Sequence, residues 1–151
     1  MSLLSWHIPD GVDVSIGFVY FVRVVDDAGN EYRYVGKAQS ESRLREYRNN
    51  MVKIAEGRPR GRKQRYRAVH LALAKALEHG WRYDFDVVEN ATKGHLLDLE
   101  KHHRDRLKCN LNGASTWDVN QYRALQVNDL LRGRRGDTRP AGQPTDPLQA
   151  T

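Results

Sequence analysis

The sequence predicts an α/β chain of the α+β kind: a small, mostly antiparallel sheet of three strands flanked by helices. Three observations carry this. Ile16 to Val25 is a run of β-branched and aromatic residues. It is followed by the turn signal Asp26-Asp27-Ala28-Gly29-Asn30 and a second strand-like run, Glu31 to Val35, which together form a hairpin pattern. Trp81 to Glu89 alternates between polar and apolar residues and supplies a third strand. Elsewhere, apolar residues recur at helical spacing in separate segments.

Each element has its own local reason. In an antiparallel hairpin, residues of equal parity share a face when paired numbers sum to an even value. A turn centred near Asp27 or Ala28 therefore places Tyr20 and Tyr34 almost opposite each other on one face. Ser40 is a natural N-cap for the first helix, with Glu41 in its first turn. Leu44, Tyr47, Met51 and Ile54 form the apolar stripe of that helix, and Arg43 shares the face of Tyr47. A second helix is expected from about Gln64 to His79, with Val69, Leu73, Ala76 and Leu77 turned inward and Gly80 as its stop. A third is expected from about Lys93 to Lys108. Asn110 to Asn120 reads as irregular and Val119 to Leu131 as a short last helix. Residues 132–151, dominated by Gly, Pro, Arg and Thr, read as a disordered polar tail. One domain over residues 1–131 follows, and no internal repeat is visible.

Composition narrows the function classes. A hydrophobic content of 39% allows a modest core. No apolar run approaches the roughly 18 residues needed to span a membrane, and the first ten residues lack a secretory signal. A cytoplasmic protein with no membrane partner is expected. Cys109 is the only cysteine, so no internal disulfide forms. Its spacing from His95, His102 and His103 matches no standard zinc site. The net charge of +6 is equalled by Arg58, Arg60, Arg62, Lys63, Arg65 and Arg67, a stretch without an acid. Gly57, Pro59 and Gly61 break the chain there. A flexible arginine-rich loop leading into a helix suits contact with nucleic-acid phosphates, against the plainer reading of a solvated loop.

Glu100 stands out on the third helix. Residues 96, 100, 103 and 107 share a face, and three of them are Leu96, His103 and Leu107. A carboxylate on that side needs a partner, because burying it unpaired is costly. An arginine, another cation or a metal ion would serve, unless a slight rotation takes the side chain to solvent.

The order of these residues is more specific than any one of them. Phe18-Val19-Tyr20 is followed by Tyr34-Val35-Gly36-Lys37-Ala38, then Arg43-Leu44, Tyr47, Glu100 and Asn112. Over residues 16–113 this resembles the GIY-YIG nuclease superfamily, and the hairpin motif is most similar to the N-terminal domain of the excision-repair nuclease. The first motif reads Phe-Val-Tyr in place of Gly-Ile-Tyr, and the hairpin loop is longer. The stretch from Gly36 to Arg43 is one residue shorter, leaving Arg45 and Arg48 as alternatives for the arginine. Asn110 is the alternative to Asn112.

The resemblance implies an endonuclease that hydrolyses phosphodiester bonds with one divalent cation, Mg²⁺ or Mn²⁺, on Glu100. DNA is the expected substrate ahead of RNA. Arg43 would hold the scissile phosphate. Tyr20 would be general base or water-positioner with Tyr34 beside it, and Lys37 would orient the water or assist the leaving group. A free tyrosine ionises near about pH 10, so a base role requires nearby cations. The sequence leaves open which tyrosine takes the proton and whether Tyr47 lines the site or only packs. No separate DNA-reading domain is visible, so specificity would come from the Arg58–Arg67 loop, the tail, an oligomer or a partner protein. The competing readings are an inactive nucleic-acid-binding module on the same fold and a basic adaptor acting through the arginine-rich loop.

Overall fold

The computed structural model describes residues 6–58, 65–92, 94–113 and 116–118. The expected last helix and tail, and Arg60, Arg62 and Lys63, lie outside the described residues. The hairpin forms as β1 (Phe18–Val25) and β2 (Glu31–Ala38). Its turn is closed by Asp26, whose carboxylate accepts the backbone N–H groups of Ala28 and Asn30 at 3.0 and 2.9 Å, while Gly29 takes the left-handed conformation at φ +84°. Helix α1 follows (Ser42–Ala55), then β3 (Arg65–Arg67), α2 (Ala68–His79), β4 (Arg82–Asn90), α3 (Leu96–Arg106) and β5 (Thr116–Asp118). The main sheet is antiparallel throughout, in the order β2-β1-β4, and β3 pairs with β5 in a separate ribbon. The α+β class is as expected. None of the described helices is long and apolar enough to cross a membrane.

The register places Tyr20 opposite Gly36 and Val22 opposite Tyr34. The tyrosines therefore share a face, as parity requires, but lie diagonally, with ring centroids 6.5 Å apart. That face carries Phe18, Tyr20, Val22 and Val24, with Tyr32 from β2 and Phe85 and Val87 from β4, all buried. Helices α1 and α2 cover it. On the opposite face, Lys37 of β2 and Glu89 of β4 meet α3, and Arg33 of β2 donates to the carbonyl of Leu107 just beyond it. Between Val19 and Tyr20 the β1–β4 register shifts by a bulge, which re-aims the strand beside Tyr20.

Five local expectations change. Ser40 does not cap α1: Glu41 occupies that position without a side-chain cap, and the Ser40 hydroxyl instead meets that of Ser42 at 2.8 Å. Helix α2 starts at Ala68, because the residues before it form β3. It also lacks a simple stripe. Packed against both α1 and the sheet, it is buried continuously from Ala68 to Ala76. Gly80 ends it at φ +72°, as expected. Helix α3 is shorter than read, and the stretch expected to be irregular contributes β5.

Gly36 is where sequence and packing meet most tightly. The Tyr20 ring lies across it so closely that an added Cβ would overlap the phenol end of that ring. Gly36→Ala is therefore expected to destabilise the protein by about 1–3 kcal/mol through overpacking, read by urea denaturation. Unchanged stability would contradict this packing.

Candidate active site

A cleft of about 600 Å³ runs across the free edge of β2. Tyr20 and Tyr34 enter it from one face of the sheet, with Arg43 from α1; Lys37 and Glu100 enter from the other. Residues far apart in sequence thus converge because the cleft straddles an edge strand whose alternate side chains point to opposite faces.

On the α3 side, Lys37 Nζ lies 3.6 Å from Glu100 Oε1, and the Glu100 side chain is only 15% exposed. Of the two orientations the helix pattern left open for Glu100, the sheltered one is observed, with a lysine facing it. His103, one turn further on, is buried and approaches Glu89 at 2.8 Å through Nε2, while Arg106 Nε donates to its Nδ1 at 3.2 Å. Both ring nitrogens are engaged in structural contacts. Burial pushes the Cys109 thiol up to about 11, so it is no thiolate near neutral pH.

On the tyrosine side, Tyr20 Oη and Tyr47 Oη are 2.7 Å apart. Tyr47 is fully enclosed behind Tyr20 and does not line the cleft. Trp6 packs edge-on against both rings and donates its indole N–H to the Leu44 carbonyl at 3.3 Å. Desolvation holds the Tyr20 hydroxyl well above the usual phenol range, reinforced by Tyr34 and opposed by the Tyr47 hydrogen bond, Arg43 and Arg67. Tyr47 is raised likewise, again chiefly by burial. Arg43 and Arg67 do not overcome the burial of Tyr20. Arg43 faces the cleft and pairs with Glu46 at 3.0 Å.

Asn112 lines the cleft, but its amide serves β2. Its Oδ1 accepts the Val35 N–H at 2.9 Å and its Nδ2 donates to the Val35 carbonyl at 2.7 Å. Asn110 does the same one step along, accepting from Arg33 N–H at 2.8 Å and donating to the Glu31 carbonyl at 3.0 Å. Between them Leu111 N–H donates to the Arg33 carbonyl at 3.0 Å. Two side-chain amides and one backbone group thus satisfy the outer edge of β2 much as a further strand would. The two asparagines, competing readings in the sequence, act together.

The arginine-rich stretch divides. Arg58 pairs with Glu56 at 2.6 Å. Arg65 and Arg67 lie on β3, and Arg67 lines the cleft, where its Nη1 donates to Tyr34 Oη at 3.1 Å. Counting charges could not single it out; a strand reading of Arg65-Tyr66-Arg67 would have placed both arginines on one side.

Compared with protein-family models, curated proteins and solved structures, the chain gives no significant match.

Burial of two linked phenols has a consequence at high pH. Unfolded tyrosines release their protons near about pH 10, whereas folded Tyr20 and Tyr47 retain theirs. Above that pH the unfolded state binds fewer protons, so this stabilisation is complete below pH 10 and declines as pH rises. Urea midpoints measured from about pH 8 to 11.5 should fall above pH 10, and less steeply in Tyr47→Phe. Identical alkaline slopes in both proteins would contradict the assignment.

Proposed function

We propose that this protein is a cytoplasmic, metal-dependent endonuclease of the GIY-YIG type that hydrolyses phosphodiester bonds in DNA. The observation that carries the reading is the meeting of Tyr20, Tyr34, Lys37, Arg43 and Glu100 in one cleft. Their order along the chain is the order that carries the resemblance, and they come from β1, β2, α1 and α3.

Among the described residues, no group of three or more His, Cys, Asp or Glu could cage a metal. The acidic donor in the cleft is one sheltered carboxylate, Glu100. That donor set fits a hard cation that keeps most of its waters and takes further ligands from phosphate, which describes Mg²⁺ and, by the same chemistry, Mn²⁺. When bound, such an ion supplies Lewis-acid stabilisation of charge on the phosphate and the departing oxygen. Glu100 is the residue that would hold it.

The remaining roles follow from the chain's own groups. Arg43 offers a guanidinium to the scissile phosphate, with donors beyond those used on Glu46. Lys37 brings a second cation beside Glu100 and is placed to orient the attacking water or to meet charge on the leaving oxygen. Tyr34, as phenolate after releasing its own O–H proton to solvent in the cleft, is the tyrosine that accepts the proton of that water. Tyr20 is the poorer base, because its hydroxyl is buried and engaged by Tyr47; it holds the floor of the cleft. Tyr47 positions Tyr20, and Asn112 positions β2. Arg58 and Arg65 would extend the contact along the DNA backbone.

Supercoiled plasmid with Mg²⁺ or Mn²⁺ tests this reading. Nicking or linearisation is expected, abolished by EDTA and by Glu100→Ala. Tyr34→Phe should lose about 10²–10⁴-fold in rate, the range of a general base, and Tyr20→Phe less. Cleavage that survives both EDTA and Glu100→Ala would refute the mechanism. DNA binding without cleavage under any metal would instead support an inactive binding module or a basic adaptor.

A further inference from the structure

We propose that Arg67 is a positioning residue of the active site: carried on the β3–β5 ribbon, its guanidinium fixes Tyr34 Oη as a hydrogen-bond acceptor and turns the hydroxyl's free side toward the cleft. This rests on the nuclease reading and deepens it, by giving Tyr34 the partner that a tyrosine base requires.

The placement of Arg67 is built from both sides. Tyr66, its neighbour in β3, is fully buried, and its hydroxyl donates to the Arg58 carbonyl at 2.9 Å. Strand alternation then turns Arg65 and Arg67 outward together. Arg67 pairs with Thr116 across the ribbon. It is also the N-cap residue of α2, with extended backbone at φ −70° and ψ 153°. A core plug, a ladder and a helix start therefore fix its Cα at the cleft wall, which it lines together with Tyr34 and Ala68.

The chemistry of the contact is one-directional. A guanidinium has donors only and stays charged. At 3.1 Å from Arg67 Nη1, Tyr34 Oη must be the acceptor. A phenol has one O–H, so that proton is left for another partner, and the charged donor favours the oxygen once the proton has gone. Tyr20 differs, since in its pair with Tyr47 either hydroxyl can donate. Tyr34 interacts electrostatically with Tyr20 of β1 and Tyr47 of α1, and the other charged groups lining its cleft are Lys37 of β2, Arg43 of α1 and Glu100 of α3. Among the described residues, Arg67 is the one hydrogen-bonded to its hydroxyl. On the Arg67 side, Tyr34 is the largest influence holding the guanidinium in its charged form. The ribbon also makes the site depend on residues beyond Asn112, because β5 is what β3 pairs with.

The test uses the full chain carrying ¹³Cζ-labelled tyrosine, without metal or DNA, with the Tyr34 signal assigned through Tyr34→Phe. Arg67→Met and Arg67→Lys are compared with the native protein, and circular dichroism confirms that each is folded. In Arg67→Met, the Tyr34 ¹³Cζ resonance at neutral pH should shift from its native position, because the oxygen loses a charged hydrogen-bond donor. Arg67→Lys should recover part of that shift. Absence of any shift in a folded variant overturns the proposal whether or not the chain cuts DNA. A shift in a protein that cuts nothing would sustain the Arg67–Tyr34 assignment and refute the nuclease reading. Where cleavage is observed, Arg67→Met should lower kcat more than it raises KM, and adding it to Tyr34→Phe should cost no more than about threefold, because the two act as one unit. Full additivity would show that Arg67 acts on phosphate independently of Tyr34, and would overturn the positioning role.

Discussion

The site depends first on the pairing of β1 with β2 that lays the Tyr20 ring across Gly36. That register puts Tyr20 and Tyr34 on one face and turns Lys37 to the other. A slip by one residue would exchange the faces of a whole strand. Tyr20 also ties the sheet to the helical layer, because its hydroxyl meets Tyr47 in the middle of α1 and both rings pack against Trp6. A larger residue at position 36 would disturb the sheet, the aromatic cluster and the floor of the cleft together.

The second constraint is that β2 is an edge strand. An exposed edge carries unpaired backbone groups that a protein must satisfy or protect. Here the segment after α3 does so with Asn110, Leu111 and Asn112, which leaves the end near Lys37 and Ala38 open as cleft wall. Glu100, Lys37 and the tyrosines meet because the cleft crosses that edge. The ribbon of β3 and β5 then brings in Arg67. Strand edges and helix starts, more than loops, hold the described groups in place, which suits chemistry that relies on fixed charges.

Much of this was legible in the sequence, for identifiable reasons. The hairpin, the strand after Gly80 and the stripe of α1 are set by local periodicity and turn chemistry. Parity put the two tyrosines on a common face without the exact turn being known. Helix spacing alone turned Glu100 inward. What escaped was set by long-range packing. The continuous burial of α2 follows from its place between α1 and the sheet. Strand β3 is too short to read beside a helical pattern, and its partner β5 lies far along the chain. The charge count therefore merged Arg67 with its neighbours. The two asparagines looked like competitors because pairing of their amides to a strand edge has no sequence signature.

The cleft at the β2 edge is proposed as a one-cation phosphodiesterase site centred on Glu100. Its most direct test is anomalous scattering from crystals grown with Mn²⁺ and a short DNA duplex. One Mn²⁺ peak is expected at the Glu100 carboxylate, with a DNA phosphate between it and Arg43. Mn²⁺ bound elsewhere, or DNA lying away from this cleft, would contradict it.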